Sequence, residues 1–324
     1  MVFMLRRRLE AFIKINFRHF CGIQNDAKFF VGRPPGCSGP ANAMSSLKSE
    51  CQKDDAAVEH VYCRGAVTEL LKYGHRDLHT AAKNCKSPQV LILVIPGASV
   101  TEAEDVFGLN GQIEHKLGFL LEHVPRDTHL ILIGHSIGCY IILEMMKRDP
   151  ELKVVKSVLL FPTIERMASS PQGKVMTPVL CHLRYIVYLP IFLLSLLPER
   201  LKAGMVQLVL RNMRLLDTSC VPATLSLINV DCAANAMYMG SQEMRMVLDR
   251  DNLTIQQHLD KLIFYYGATD HWCPVQYFQD IRRDFPDGDI RLCERGLRHA
   301  FVLDAGEEMA NMITEWIRDD LRGL

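Results

Sequence analysis

The most regular pattern in this chain lies between residues 90 and 321, where short apolar runs alternate with amphipathic stretches. Val90 to Ile95 is a continuous apolar run closed by Pro96-Gly97, the pattern of a strand buried on both faces. Leu130 to Ile133, Val155 to Phe161, Leu262 to Tyr266 and Asp289 to Cys293 predict four more strands. Between them, Ile113, Leu117, Leu120 and Leu121 share one face of a helix running from Glu102 or Asp105 to Val124. Tyr140, Ile141, Leu143 and Met146 predict a second helix, to about Arg148, and Tyr277 to Asp284 a third. A last helix, Glu307 to Leu321, carries Met309, Met312, Ile313, Trp316 and Ile317 at helical spacing. Upstream, Val61, Cys63 and Ala66 to Tyr73 predict an antiparallel pair around Arg64-Gly65. Alternation of this kind predicts an α/β fold, a mostly parallel sheet covered by helices on both faces.

The alternation stops between Thr177 and Asn229. There the chain carries thirteen uncharged residues, Tyr185, Ile186, Val187, Tyr188, Leu189, Pro190, Ile191, Phe192, Leu193, Leu194, Ser195, Leu196 and Leu197. One bilayer span needs about 20 residues, so this insert is too short to cross as a single helix. Two readings compete: a cap helix buried over an active site, or an apolar hairpin lying in a lipid surface. Arg184 before the run and Arg200 and Lys202 after it fit the interfacial reading.

Composition narrows the classes. The chain has 324 residues, 48% hydrophobic and 23% charged, with 37 basic against 37 acidic side chains. That balance gives no general attraction for nucleic acid. Its 11 cysteines are scattered without a Cys-x-x-Cys pair, which fits free thiols better than a disulfide framework or a zinc site. Residues 1 to 20 set Arg6, Arg7, Arg8, Lys14 and Arg18 among Phe3, Leu5, Leu9, Phe12, Ile13, Ile15 and Phe17, while residues 31 to 46 read as a linker. Residues 1–46 are therefore expected to be a poorly ordered or targeting-like extension ahead of a domain spanning 58–324.

The strand at Leu130 runs directly into Gly134-His135-Ser136-Ile137-Gly138 and then into a helix. A Gly-x-Ser-x-Gly turn between strand and helix is a nucleophile elbow, which exposes a serine hydroxyl at the end of a parallel sheet. Serine needs a histidine to take its proton, and that histidine needs a carboxylate to fix its tautomer. The chain supplies them in the order Ser136, Asp270, His299, with Asp270 and His299 each in a loop after a predicted strand. Glu165, after another strand, is the competing acid; His135 and His271 read as structural or substrate-lining, and Glu114 and His115 as solvated or pairing rather than catalytic. The oxyanion calls for two backbone N–H donors, one from Ile137 and one from Gly97 or Ala98. Such chemistry requires no metal or cofactor.

From about residue 58 onward the chain resembles the lipid-droplet-associated hydrolase family of the α/β-hydrolase superfamily. The resemblance rests on Gly108 to Lys116, Ile133 to Gly138, Leu160 to Met167, Phe264 to Pro274 and Asp289 to Glu294. It implies an α/β-hydrolase fold and the triad Ser136, Asp270 and His299. It also implies weak hydrolysis of lipid esters such as cholesteryl esters, with residence on lipid droplets and on the cytosolic face of the endoplasmic reticulum. Attachment would be monotopic, and the 177–229 insert becomes the droplet-attaching region. Residues 1 to about 46 depart from the family. So does the stretch after Gly97, where the family continues with a Gly-rich oxyanion loop, a helix and the fourth strand before reaching the helix that here starts near Glu102. In the superfamily order 1-2-4-3-5-6-7-8, that deletion is expected to open an edge between the second and third strands. The expected protein is a serine lipid-ester hydrolase; the alternative is a catalytically impaired droplet coat or binding protein. A soluble thioesterase or peptidase with a cap is a third possibility.

Overall fold

The computed structural model describes residues 25–32, 57–63, 66–74, 90–95, 108–212 and 230–322. Within them lie strands β1 Asn25–Gly32, β2 Ala57–Cys63, β3 Ala66–Gly74, β4 Val90–Ile95, β5 His129–His135, β6 Val154–Leu160, β7 Leu262–Gly267 and β8 Asp289–Cys293. The helices are α1 Leu109–His123, α2 Ile137–Arg148, α3 Pro171–Cys181, α4 Arg184–Ser195 and α5 Glu199–Asn212. They continue with α6 Val230–Met246, α7 Asn252–Gln257, α8 Val275–Asp284, α9 Gly306–Trp316 and α10 Arg318–Arg322. The strands form one sheet in the order β2-β3-β1-β4-β5-β6-β7-β8. From β4 to β8 every pair is parallel.

Adjacent strand residues point to opposite faces, so Tyr265 and Tyr266 report what covers each side of β7. The Tyr265 ring lies 5.0 Å from Trp316 of α9, and its hydroxyl donates to Met312 Sδ at 3.7 Å. Tyr266, fully buried, meets Phe278 of α8 at 6.0 Å. The sheet therefore carries helices on both faces, as the pattern predicts. The buried run Leu130 to Ile133 lies in β5, near the middle of this layer. The last helix departs from expectation: it breaks at Ile317, which is wholly buried, and restarts as α10.

The largest difference lies at the expected open edge. Strands β3 and β4 run in opposite directions, and β1 fills the space between them, parallel to β3 and antiparallel to β4. Asn25 pairs with Thr68 and Val31 with Gly74 on one side; Lys28 pairs with Val94 and Gly32 with Val90 on the other. The physical reason is hydrogen-bond accounting. Two facing edges leave two rows of N–H and C=O groups that need partners, and one inserted strand satisfies both. Residues 25–32 thus form part of the sheet rather than a poorly ordered extension; the rest of the 1–46 expectation lies outside the described residues, as does the helix start at Glu102.

Candidate active site

The site begins with the turn after β5. Ser136 adopts φ 56° and ψ −123°, a left-handed conformation that ordinary residues avoid, and α2 starts one residue later. Gly134 makes the turn possible: a Cβ there would stand 2.9 Å from Cys139 N and from the Gly138 carbonyl. The turn is tied to β6 by the Ser136 N–H, which donates to the Leu160 carbonyl at 3.0 Å. Ile137 opens α2, so its N–H is among the first-turn donors that have no partner inside the helix. Gly97 and Ala98, the expected second oxyanion donors, lie outside the described residues.

His299 stands between the other two expected residues. Its Nε2 is 2.9 Å from Ser136 Oγ and its Nδ1 is 2.6 Å from Asp270 Oδ2. The Asp270 side chain is fully shielded from solvent, while that of His299 keeps some exposure. Gly267, at the end of β7, lets the Phe161 ring and Asp270 approach closely, since a Cβ there would fall 2.6 Å from that ring and 3.2 Å from Asp270 Cβ. Burial alone would raise the Asp270 carboxyl. The His299 hydrogen bond and charge, with donors from Cys273 and Trp272, outweigh it and hold the carboxyl below its ordinary value. Oδ1 accepts the Trp272 N–H at 2.7 Å and Oδ2 accepts the Cys273 thiol at 2.9 Å. Asp270, Cys273 and His299 could be read as a metal cluster by composition. Their atoms are at hydrogen-bond separations, closer than the roughly 3.3 Å that ligands 2.0 Å from a tetrahedral zinc must keep from one another. The arrangement is that of a proton network.

The other candidates have different partners. Glu165 is held by Arg166 at 2.6 Å and Arg250 at 3.0 Å, away from His299. Arg166 also bonds Asp280 at 2.7 Å and lies over the Tyr277 ring, fastening the loop after β6 to α8. His135 Nε2 lies 2.8 Å from the His299 carbonyl; a carbonyl can only accept, so His135 donates as the Nε2–H tautomer. Its ring packs against Phe161, Phe301 and His299. Loss of solvation and the nearby His299 push its pKa down to about 3, against the opposing pull of that carbonyl and of Asp270. It is therefore neutral at physiological pH. His271 is exposed, and its carbonyl accepts the Gln172 N–H from the first turn of α3 at 3.0 Å. Glu114 pairs with Arg148, and His115 is buried in α1. Pattern reading missed Cys273, which looked like one of many scattered thiols; its position three residues after the acid was the available signal.

The helix that leads into the apolar insert starts beside the His271 carbonyl. Helix α3 begins with Pro171 at its first position, capped by Ser170 Oγ accepting the Gly173 N–H at 2.9 Å. It then turns through 81° into α4. Not one residue of α4 is buried, which fits the interfacial reading of this run better than the buried cap. Tyr185, Ile186, Leu189, Phe192, Leu193 and Leu196 are exposed at positions that repeat along one helical face. Val187, Tyr188 and Ile191 point the other way and pack on the core, while Leu194 and Leu197 are half-buried. Pro190 is accommodated within α4 rather than interrupting it. Leu201, Met205 and Leu208 extend the apolar surface along α5. Among the described residues no single helix is long and apolar enough to cross a membrane; α3 and α4 meet that standard only together, as a bent pair.

A family model described as lipid-droplet associated hydrolase matches residues 58–302. The lipid droplet-associated hydrolase of Gallus gallus is 61% identical over 311 residues, covering 82% of this chain and 96% of that protein. The Homo sapiens protein of the same name is 40% identical over 326 residues, covering 86% and 98%. The chicken alignment spans 311 positions but uses only 82% of the 324 residues here, so roughly 45 positions of the relative have no counterpart in this chain. Among solved structures, an esterase from Exiguobacterium antarcticum matches with a TM-score of 0.45 at 14% identity, covering 78% of this chain and 82% of that one.

Proposed function

Because the chain belongs to the lipid-droplet-associated hydrolase family, we propose that it is a serine-dependent carboxylic ester hydrolase acting on lipid esters, cholesteryl esters among them, at the droplet surface. The observation that carries this reading is His299, placed within hydrogen-bond reach of both Ser136 Oγ and Asp270 Oδ2. Ser136 Oγ attacks the ester carbonyl while His299 Nε2 takes its proton, and Asp270 stabilises the imidazolium that forms. The Ile137 N–H, with Gly97 or Ala98, holds the oxyanion. Collapse of the tetrahedral intermediate releases the alcohol, which takes its proton from His299. Water, activated by the same histidine, then hydrolyses the acyl-enzyme.

The exposed face of α4 and α5 supplies the contact with lipid. An apolar helical face flanked by Arg184, Arg200 and Lys202 lies in the boundary between headgroups and acyl chains without spanning it. The same surface suits the cytosolic face of the endoplasmic reticulum. Support comes from the start of α3, where the Gln172 N–H donates to the His271 carbonyl beside Asp270, so the chain entering the apolar insert departs from the loop that carries the acid.

The test is labelling with a fluorophosphonate probe, comparing the chain with Ser136→Ala. Serine-dependent labelling, followed by release of fatty acid from cholesteryl or glyceryl esters in emulsions, is the expected result. A second reading, a droplet-binding protein without catalysis, is favoured by the roughly 45 positions that the chain lacks relative to the chicken protein. It predicts folded protein that binds lipid droplets and fails to label.

A further inference from the structure

We propose that Cys273 is a positioning residue of this site, whose thiol shares Asp270 Oδ2 with His299 and so sets how strongly the carboxylate holds the imidazole. The inference rests on the triad reading above.

Three features carry it. The thiol lies 2.9 Å from Oδ2, and His299 Nδ1 lies 2.6 Å from that same oxygen, so two donors converge on one atom. The loop gives the thiol little choice. Asp270 Oδ1 accepts the Trp272 N–H, which curls the chain so that the side chain three residues on returns to the carboxylate. Finally, Cys273 is wholly buried, so the group acts by donation within the site rather than by reacting with anything in solvent. Its proton is secure: burial, then the Asp270 charge, push the thiol well above its ordinary pKa.

The choice of sulfur has a chemical meaning. A thiol is a weak donor beside a hydroxyl. It helps fix the carboxylate while leaving most of the Oδ2 lone-pair density to His299. Removing the donor strengthens the Asp270–His299 bond; replacing it with a hydroxyl weakens that bond. Cys273→Ala, the parent and Cys273→Ser therefore form an ordered series.

Two readouts follow the series. The acid limb of the kcat/KM–pH profile on a soluble short-chain ester is expected to move up by a few tenths of a pH unit in Cys273→Ala and down by a similar amount in Cys273→Ser, each tenth corresponding to about 0.14 kcal/mol. In the same proteins the downfield Nδ1–H proton resonance of His299 is expected furthest downfield in Cys273→Ala and least in Cys273→Ser. A thiol that only fills space would alter thermal stability and leave both readouts unordered, and that outcome overturns the proposal. The proton series needs no turnover, so it decides the role of Cys273 even if the parent fails to label at Ser136, a failure that would count against the esterase reading instead.

Discussion

Two apolar runs of similar composition have opposite surroundings. Leu130 to Ile133 in β5 is buried, Ile131 and Leu132 completely, whereas α4 exposes Tyr185 and Ile186 at 69% each. The first has neighbours on both sides, β4 and β6, and helices above and below. The second packs Val187, Tyr188 and Ile191 against the core and leaves its opposite face open among the described residues. Apolar character fixes a preference for leaving water; the surrounding elements decide whether protein or lipid meets that preference. One run ends in the catalytic candidate Ser136, and the other presents a surface.

This division predicts a double separation, with the largest effect in the chemistry. Ser136→Ala should abolish fluorophosphonate labelling and reduce ester turnover by at least about 10⁴-fold, with droplet binding retained. Replacing Leu189, Phe192 and Leu193 together with glutamate should do the reverse, preserving labelling in solution while flotation with lipid droplets is lost. If the triple variant still floats, α4 is not the docking surface.

Next in size is the sheet's inserted strand. Without residues 1–32, β3 and β4 would face each other as unpaired edges, a change worth several kcal/mol against a total margin of about 5 to 15 kcal/mol. The shortened protein should aggregate or unfold without cooperativity in urea. A cooperative transition at the parent's midpoint would remove β1 from the account. Smaller again is the contrast between single leucines. Leu132→Ala in β5 should cost about 2 to 5 kcal/mol, whereas Leu189→Ala in α4 should stay within about 0.5 kcal/mol, both measured by urea denaturation.

These contrasts mark what was legible in the sequence. Strands β4 to β8 and the order Ser136, Asp270, His299 could be read because buried parallel strands are continuous apolar runs and loops at one sheet edge converge. The bounds of β8 match its pattern residue for residue. Strand β1 could not be read, because Lys28, Phe29, Phe30 and Val31 are consistent with a strand but carry no signal for its partners. Pairing is decided by which edges lack a neighbour, and that is a property of the assembled sheet. The exposure of α4 was hidden for the same reason: its periodic apolar positions fit a cap and an interface equally well. Cys273 escaped because a thiol's role depends on what faces it.

At neutral pH the polar end of the buried run shows no such contrast, and its effect emerges only as pH falls. His135 follows Gly134 in β5, and its part-buried ring, packed against Phe161, Phe301 and His299, resists protonation until about pH 3, although an unfolded histidine titrates near 6.5. Between those values the unfolded chain takes up a proton that the folded chain refuses. Stability from this group is therefore complete above about 6.5 and declines as pH falls toward 3, at up to about 1.4 kcal/mol per pH unit. His135→Gln retains an N–H donor for the His299 carbonyl and does not titrate, so its stability should fall less steeply over pH 7 to 4. Urea midpoints at each pH unit would measure both slopes. Equal slopes would mean that the His135 ring meets enough water in the folded protein to titrate like an unfolded histidine.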